Sequence, residues 1–252
     1  MTSLSHESFA NIENPAVRKR IQLENVEAQE YLDEKVQHIL SHRAVQHPLL
    51  NYYRKNLFTK DQEKHFYLEC YYYFEYEPFY IVGMAMNTRD YNILREIVLN
   101  VIDEVGGELT HAQLFREQIN ALGITDEEID SYKCLPTTTA INQGAMKLYT
   151  NPPIERNLGA LLADETMSAV LACQLNDGLA NQGYDENVRM HWLMHLAVEI
   201  GHSNNAYNAI APYVLNAEGR RLFEDGISNY LQLLEAYWDG VDFLVREGAA
   251  GT

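Results

Sequence analysis

Three glutamates and three histidines carry the chemistry open to this chain: Glu104, His111, Glu165, His195, Glu199 and His202. The last three form His195-x-x-x-Glu199-x-x-His202. At about 100° per residue, steps of four and three return to nearly one face of an α-helix. One helix would therefore present imidazole, carboxylate and imidazole side by side. Glu104 and His111 stand seven residues apart, two helical turns, so the spacing predicts a shared face for them too. Glu108, three residues before His111, is the alternative carboxylate; Glu104 is preferred. Carboxylates bridge metal ions and offset their charge, while neutral imidazoles hold them without cancelling all of it. Three of each on facing helices suit a pair of iron ions, with manganese as the alternative.

Each signal has a plainer reading. A Glu and a His at helical spacing most often form a solvated surface pair. Glu165 is stronger, because it interrupts an otherwise apolar run from Leu158 to Ala172, and a buried carboxylate needs a partner or a metal. The nearest arginine, Arg156, lies more than two turns away. Asp164 points about 100° off and is expected at the helix edge. The triple motif is the most specific signal: Trp192, Leu193, Met194, Leu196, Ala197 and Val198 surround it, so ionisable groups there need a purpose. His191, one turn before His195, is expected to line a pocket or support a ligand, with ligation as the alternative. Gly106-Gly107 costs roughly 1 kcal/mol per glycine inside a helix, which implies close packing or local unwinding at a site.

Holding these residues calls for long helices. Residues 1–30 are polar and read as an arm, and 31–248 as one helical domain. Apolar residues at Leu32, Val36, Ile39 and Leu40 keep a helical period, which His47-Pro48 breaks. Thr59 with Gln62, and Thr125 with Glu128, are capping boxes that start helices. The first of these runs through the aromatic stretch 66–79, with Pro78 a kink or an end. Further helices are expected over 88–121, 137–149, 154–181, 185–211 and 217–247, stopped by Gly123, by Asn151-Pro152-Pro153, by Gly183 and by Pro212. No run of alternating β-branched residues bounded by turns is present, so the fold class is all-α.

Composition bounds the function. The formal net charge is −17, which would repel the phosphates of nucleic acid. No apolar run reaches the length of a membrane span, and the N-terminus lacks the apolar core of a secretion signal. Three scattered cysteines, Cys70, Cys134 and Cys173, argue against a disulfide scaffold and suit a reducing cytoplasm. Nucleotide-binding glycine loops and the Gly-x-Ser-x-Gly elbow of hydrolases are missing.

The order Asp103-Glu104, His111, Leu122-Gly-Ile-Thr125, buried Glu165 and His195-x-x-x-Glu199-x-x-His202 resembles the haem-oxygenase-like diiron oxidases. These are seven-helix bundles related to the TenA thiaminases and to pyrroloquinoline-quinone synthase. The pattern is most similar to the branch that holds the para-aminobenzoate synthases known as CADD. The resemblance implies a single-domain bundle, two irons held by the six residues, and oxygen as co-substrate. Glu199 departs from the family's aspartate at that position. A second departure concerns the tyrosine that the para-aminobenzoate synthases consume: its position falls near Leu50, and their lysine after the bridging Glu falls near Leu175. Self-sacrificing chemistry is therefore not expected. The resemblance implies instead an external small substrate, amino-acid-like, undergoing oxidative C–C cleavage, desaturation or N-oxygenation in specialised metabolism. Arg95, Arg116 and Arg189 are the candidates for its carboxylate. A homodimer and an external electron donor are expected. The alternatives are a fatty-acid oxidative decarboxylase, a metal-independent thiaminase, and a non-catalytic interaction protein.

Overall fold

The computed structural model describes Leu23 and residues 25–247, and for residues 197–206 the backbone alone. Every regular element among the described residues is helical. The α-helices in chain order are α1 (Val26–Ser41), α2 (Pro48–Tyr53), α3 (Lys60–Phe74), α4 (Glu77–Gly83), α5 (Tyr91–Val105), α6 (His111–Ala121), α7 (Asp126–Ser131), α8 (Pro136–Thr150), α9 (Ile154–Asn181), α10 (Met190–Ile210) and α11 (Ala217–Glu247). Short 3-10 turns occupy Met84–Asn87 and Ala211–Val214.

Local chemistry sets the boundaries. The Thr59–Gln62 and Thr125–Glu128 capping boxes both form, each satisfying two amide donors that a helix start leaves open. The first helix begins at Val26, ahead of the expected boundary at residue 31, because the Asn25 side chain accepts from the Ala28 amide. The rest of the expected arm, residues 1–22 and 24, lies outside the described residues. Pro78 stands in the first turn of α4, where its missing N–H costs nothing, so the aromatic stretch is split into α3 and α4. The helix expected over 185–211 begins at Met190, since the Asp185 carboxylate accepts from the amides of Asn187 and Val188 and holds a turn.

The helix expected to run unbroken over 88–121 is two helices. Gly106 ends α5 in an extended conformation, Gly107 has φ +85°, and Thr110 starts α6 with a capping box to Gln113. The glycine pair is thus an unwinding, and it turns the chain at the residues of interest.

The core is built on α9, which packs against α1, α8, α10 and α11. Nearly every residue from Asn157 to Glu165 is buried. This is the one described helix long and apolar enough to cross a bilayer, but 78% of its most apolar window is buried against the other helices. Two glycines let α9 and α11 approach: a methyl on Gly159 would stand 2.0 Å from the Phe223 carbonyl oxygen, and one on Gly226 2.0 Å from that of Arg156. α5 and α6 lie against α10, which brings three separate chain segments to one end of the bundle.

Candidate metal centre

The turn after α5 decides the site. Glu104 stands one residue from the end of α5, and His111 is the first residue of α6. Their side chains meet across the turn, with His111 Nδ1 2.9 Å from Glu104 Oε1. The contact therefore comes from a chain reversal and not from a shared helix face. Glu108 is exposed within the turn.

His195 reaches the same point from α10. One donor atom each from Glu104, His111 and His195 lies within 4.8 Å of the others, and the imidazole centroids of His111 and His195 are 4.5 Å apart. The His195 Nδ1 is 3.0 Å from the backbone carbonyl of His191, which can only accept, so Nδ1 carries the proton. Nε2 is left with the lone pair a metal requires. One carboxylate and two imidazoles in this proximity fit a divalent transition-metal ion.

Glu165 is placed differently. It is buried on α9, and its Oε1 accepts a short hydrogen bond from the Asn100 side chain, one turn before Glu104 on α5. It faces the same helix as the cluster without sharing the 4.8 Å grouping. Glu199 and His202 are on α10, but their side chains fall outside the described residues. His191 is buried and stacks on Phe115 with centroids 4.9 Å apart. Burial, then the neighbouring His195 and His111, hold its pKa well below the ordinary value, so it is neutral at pH 7. Burial opposes a charge on His111, but the Glu104 hydrogen bond and charge, with Asp103, leave its pKa raised.

A cavity of about 170 Å³ opens beside the cluster, and Glu104, His111 and His195 form part of its wall. Phe74, Phe115 and Trp192 make the aromatic side, while Glu75, Glu77 and Phe79 make another. None of the three expected arginines lines it. Arg95 is exposed on α5; Arg116 is paired with Asp126 and Asp130; Arg189 donates to Asn176. Proximity in sequence to the candidate ligands thus does not place a side chain in the cavity wall. Glu75 and Glu77, missed in the sequence, flank the break between α3 and α4, and that break aims them at the cavity.

Asp164 corrects a further expectation. It is 2% exposed and not at an edge, because α9 is enclosed on all sides from Asn157 to Glu165. Its carboxylate accepts from Tyr149 at 2.9 Å, Tyr80 at 3.3 Å and, by a short bond, Tyr230.

Comparison with known proteins places this geometry. The sequence is 50% identical over 242 residues, 96% of this chain and 94% of the other, to 4-chloro-allylglycine synthase of Streptantibioticus cattleyicolor. A solved domain with a heme oxygenase-like fold from Shewanella denitrificans superposes with a TM-score of 0.73 at 14% identity, covering 92% of this chain and 97% of that one. A CADD-like protein from Nostoc punctiforme superposes at 0.72 with 16% identity, over 86% and 97% of the two chains. At these identities the two structures establish the fold, which is haem-oxygenase-like. The model of the iron-containing redox enzyme family matches residues 64–238, more than half of the sequence, and the chain belongs to that family.

Proposed function

We propose that this enzyme is an oxygen-dependent diiron oxidase or oxygenase that acts on a small amino acid. The observation that carries the reading is the convergence of Glu104, His111 and His195 at the wall of a cavity large enough for a small molecule. Glu165, Glu199 and His202 complete the proposed donor set for two ions, iron before manganese. When bound, the metal would supply electrons to dioxygen and so the oxidant for oxidative C–C cleavage, desaturation or N-oxygenation. The chain's own residues do the rest. Glu104 and His111 hold each other in place, the His191 carbonyl fixes the His195 tautomer, and Phe74, Phe115 and Trp192 exclude water.

The cavity wall favours an amine-bearing substrate. Glu75 and Glu77 attract a cation, and the aromatic faces beside them suit an ammonium group. The same two carboxylates repel the head group of a fatty acid, which weakens that alternative. A relative named as 4-chloro-allylglycine synthase agrees with an amino-acid substrate. No cysteine and no tyrosine is among the cavity residues. Cys70 is buried, and burial pushes its thiol pKa well up, so a thiaminase nucleophile finds no support there. A cavity wall without a tyrosine likewise favours an external substrate over a self-consumed side chain. Reducing dioxygen to two waters needs twice the electrons that one desaturation releases, hence the external electron donor.

Anaerobic iron loading followed by metal analysis tests the site. The intact chain is expected to hold two irons, and the His195→Ala and Glu165→Ala variants to lose at least half of them. Retention of more than half in both would sink the assignment. The ferrous protein mixed with oxygen should change its absorbance. That change should decay faster with a free amino acid than with a medium-chain fatty acid; the reverse order would remove the amino-acid reading.

A further inference from the structure

The N-terminal end of α10 forms one wall of the cavity, through His191, Trp192 and His195. Amides in the first turn of a helix have no intrahelical acceptor, and a side-chain cap usually takes one of them. α10 has no such cap, and among the described residues no acceptor reaches the His191 and Trp192 amides. The two side chains are open as well. His191 is 7% and Trp192 3% exposed, yet His191 Nδ1 and Trp192 Nε1 have no hydrogen-bond partner. An indole nitrogen can only donate, and a neutral imidazole has one N–H to give. Leaving a buried polar atom without a partner costs roughly 1–3 kcal/mol, so most are paired in folded proteins. Here two such atoms fall on consecutive residues of one wall. Phe115 holds both rings, stacked on His191 at 4.9 Å and edge-on to Trp192 at 5.2 Å. The helix dipole places roughly half a positive charge at this end. Arg189, the residue before the helix, adds a full one without entering the cavity wall.

We propose that this end of α10 is the carboxylate subsite of the cavity. The Trp192 indole N–H and the two open amides, with the His191 imidazole, receive the substrate's carboxylate. Glu75 and Glu77, from the break between α3 and α4, take its ammonium group. The inference rests on the amino-acid reading above and specifies it: both charged groups of the substrate are read. An amine without a carboxylate leaves the donors of α10 unpaired, which is how a buried polar site rejects a ligand. No arginine is needed, because the amides of a helix start bind anions themselves.

Calorimetric titration of the full chain with norvaline, butylamine and pentanoate is the test, since the amine and the acid each lack one charged group of the amino acid. The titrations are run without iron and again after anaerobic iron loading. Norvaline is expected to bind at least about 10-fold more tightly than butylamine in both states, the worth of one hydrogen bond to a charged group. Trp192→Phe keeps a ring and removes the N–H; it should weaken norvaline about 10-fold and leave butylamine unchanged. Glu75→Gln should weaken norvaline and butylamine alike. Circular dichroism checks that each variant keeps its helices, and the wild-type ratio of norvaline to butylamine decides if Trp192→Phe unfolds. A preference for norvaline that appears only with iron would put the carboxylate on the metal and overturn the proposal. Equal affinities for norvaline and butylamine, norvaline binding that Trp192→Phe leaves unchanged, or no binding of any of the three would overturn it too. Pentanoate binding that exceeds norvaline binding and is lost in Trp192→Phe would instead keep the subsite and overturn the amino-acid reading.

Discussion

Replacing Asp164 with Asn should stabilise the metal-free protein at pH 8 and do so less at pH 5. Asp164 is buried beside Tyr80, Tyr149 and Tyr230, and burial, the largest effect, outweighs the three hydroxyl donors, so its pKa is raised from 3.8 to about 6. A carboxyl whose folded pKa is raised binds its proton more tightly in the native state. Its contribution is fully present below the unfolded pKa and is lost as pH rises through the folded one. At 1.36 kcal/mol per unit, the shift from 3.8 to about 6 makes the ionised form cost on the order of 3 kcal/mol at pH 8. At pH 5 the native proton restores about 1.4 kcal/mol of this. An amide carries no charge to desolvate, but one tyrosine hydroxyl must turn to accept from its NH2, at about 1 kcal/mol. The Asp164→Asn variant should therefore exceed the wild type by about 2 kcal/mol at pH 8, with the margin shrinking by about 1.4 kcal/mol at pH 5. Urea titrations of both proteins at the two pH values, in dilute solution because the sequence pI is about 4.8, measure it. A variant weaker than wild type at pH 8, or a margin independent of pH, would show that the hydroxyls fully compensate the buried charge.

Three glycine substitutions probe the geometry behind the site, one of them a control outside it. Gly107→Ala places a methyl at φ +85° and should cost about 1 kcal/mol while lowering iron occupancy at limiting iron, because this turn sets Glu104 against His111. Gly123→Ala, at φ +94° and outside the site, should cost the same with iron unchanged; equal iron loss in both would refute the turn's role. Gly159→Ala should cost about 2–3 kcal/mol in a denaturant titration, since its methyl meets backbone and not a yielding side chain. A loss below ~0.5 kcal/mol would mean that α9 and α11 can separate at little cost.

What the sequence made legible follows from how local each signal is. The bounds of α9, the start of α11 and two capping boxes are set by residues within a turn of each boundary, and all were expected where they lie. The Glu104–His111 pairing was legible as a pairing, but its mechanism was not. Two helical turns and a reversal at Gly107 both bring residues seven apart together, and periodicity alone does not separate them. The signal that does was present: Thr110 followed by Gln113 is a third capping box, and a helix start between two supposed ligands excludes one continuous helix. Asp164 shows a different limit. Turning 100° from Glu165 reaches solvent only when a helix has a wet side, and the near-total burial of 157–165 is a property of the packed neighbours, not of α9. The arginines chosen by their distance along the chain lie outside the cavity wall for the same reason. Arg116 lies five residues after His111, yet Asp126 and Asp130, on a helix whose packing no local pattern reveals, draw its guanidinium outward. Adjacency in sequence constrains a side chain's angle around its own helix; what stands at that angle is decided by residues far along the chain. The charged side chains that the fold aims at the cavity are accordingly Glu75 and Glu77, and not the arginines nearest the candidate ligands in sequence.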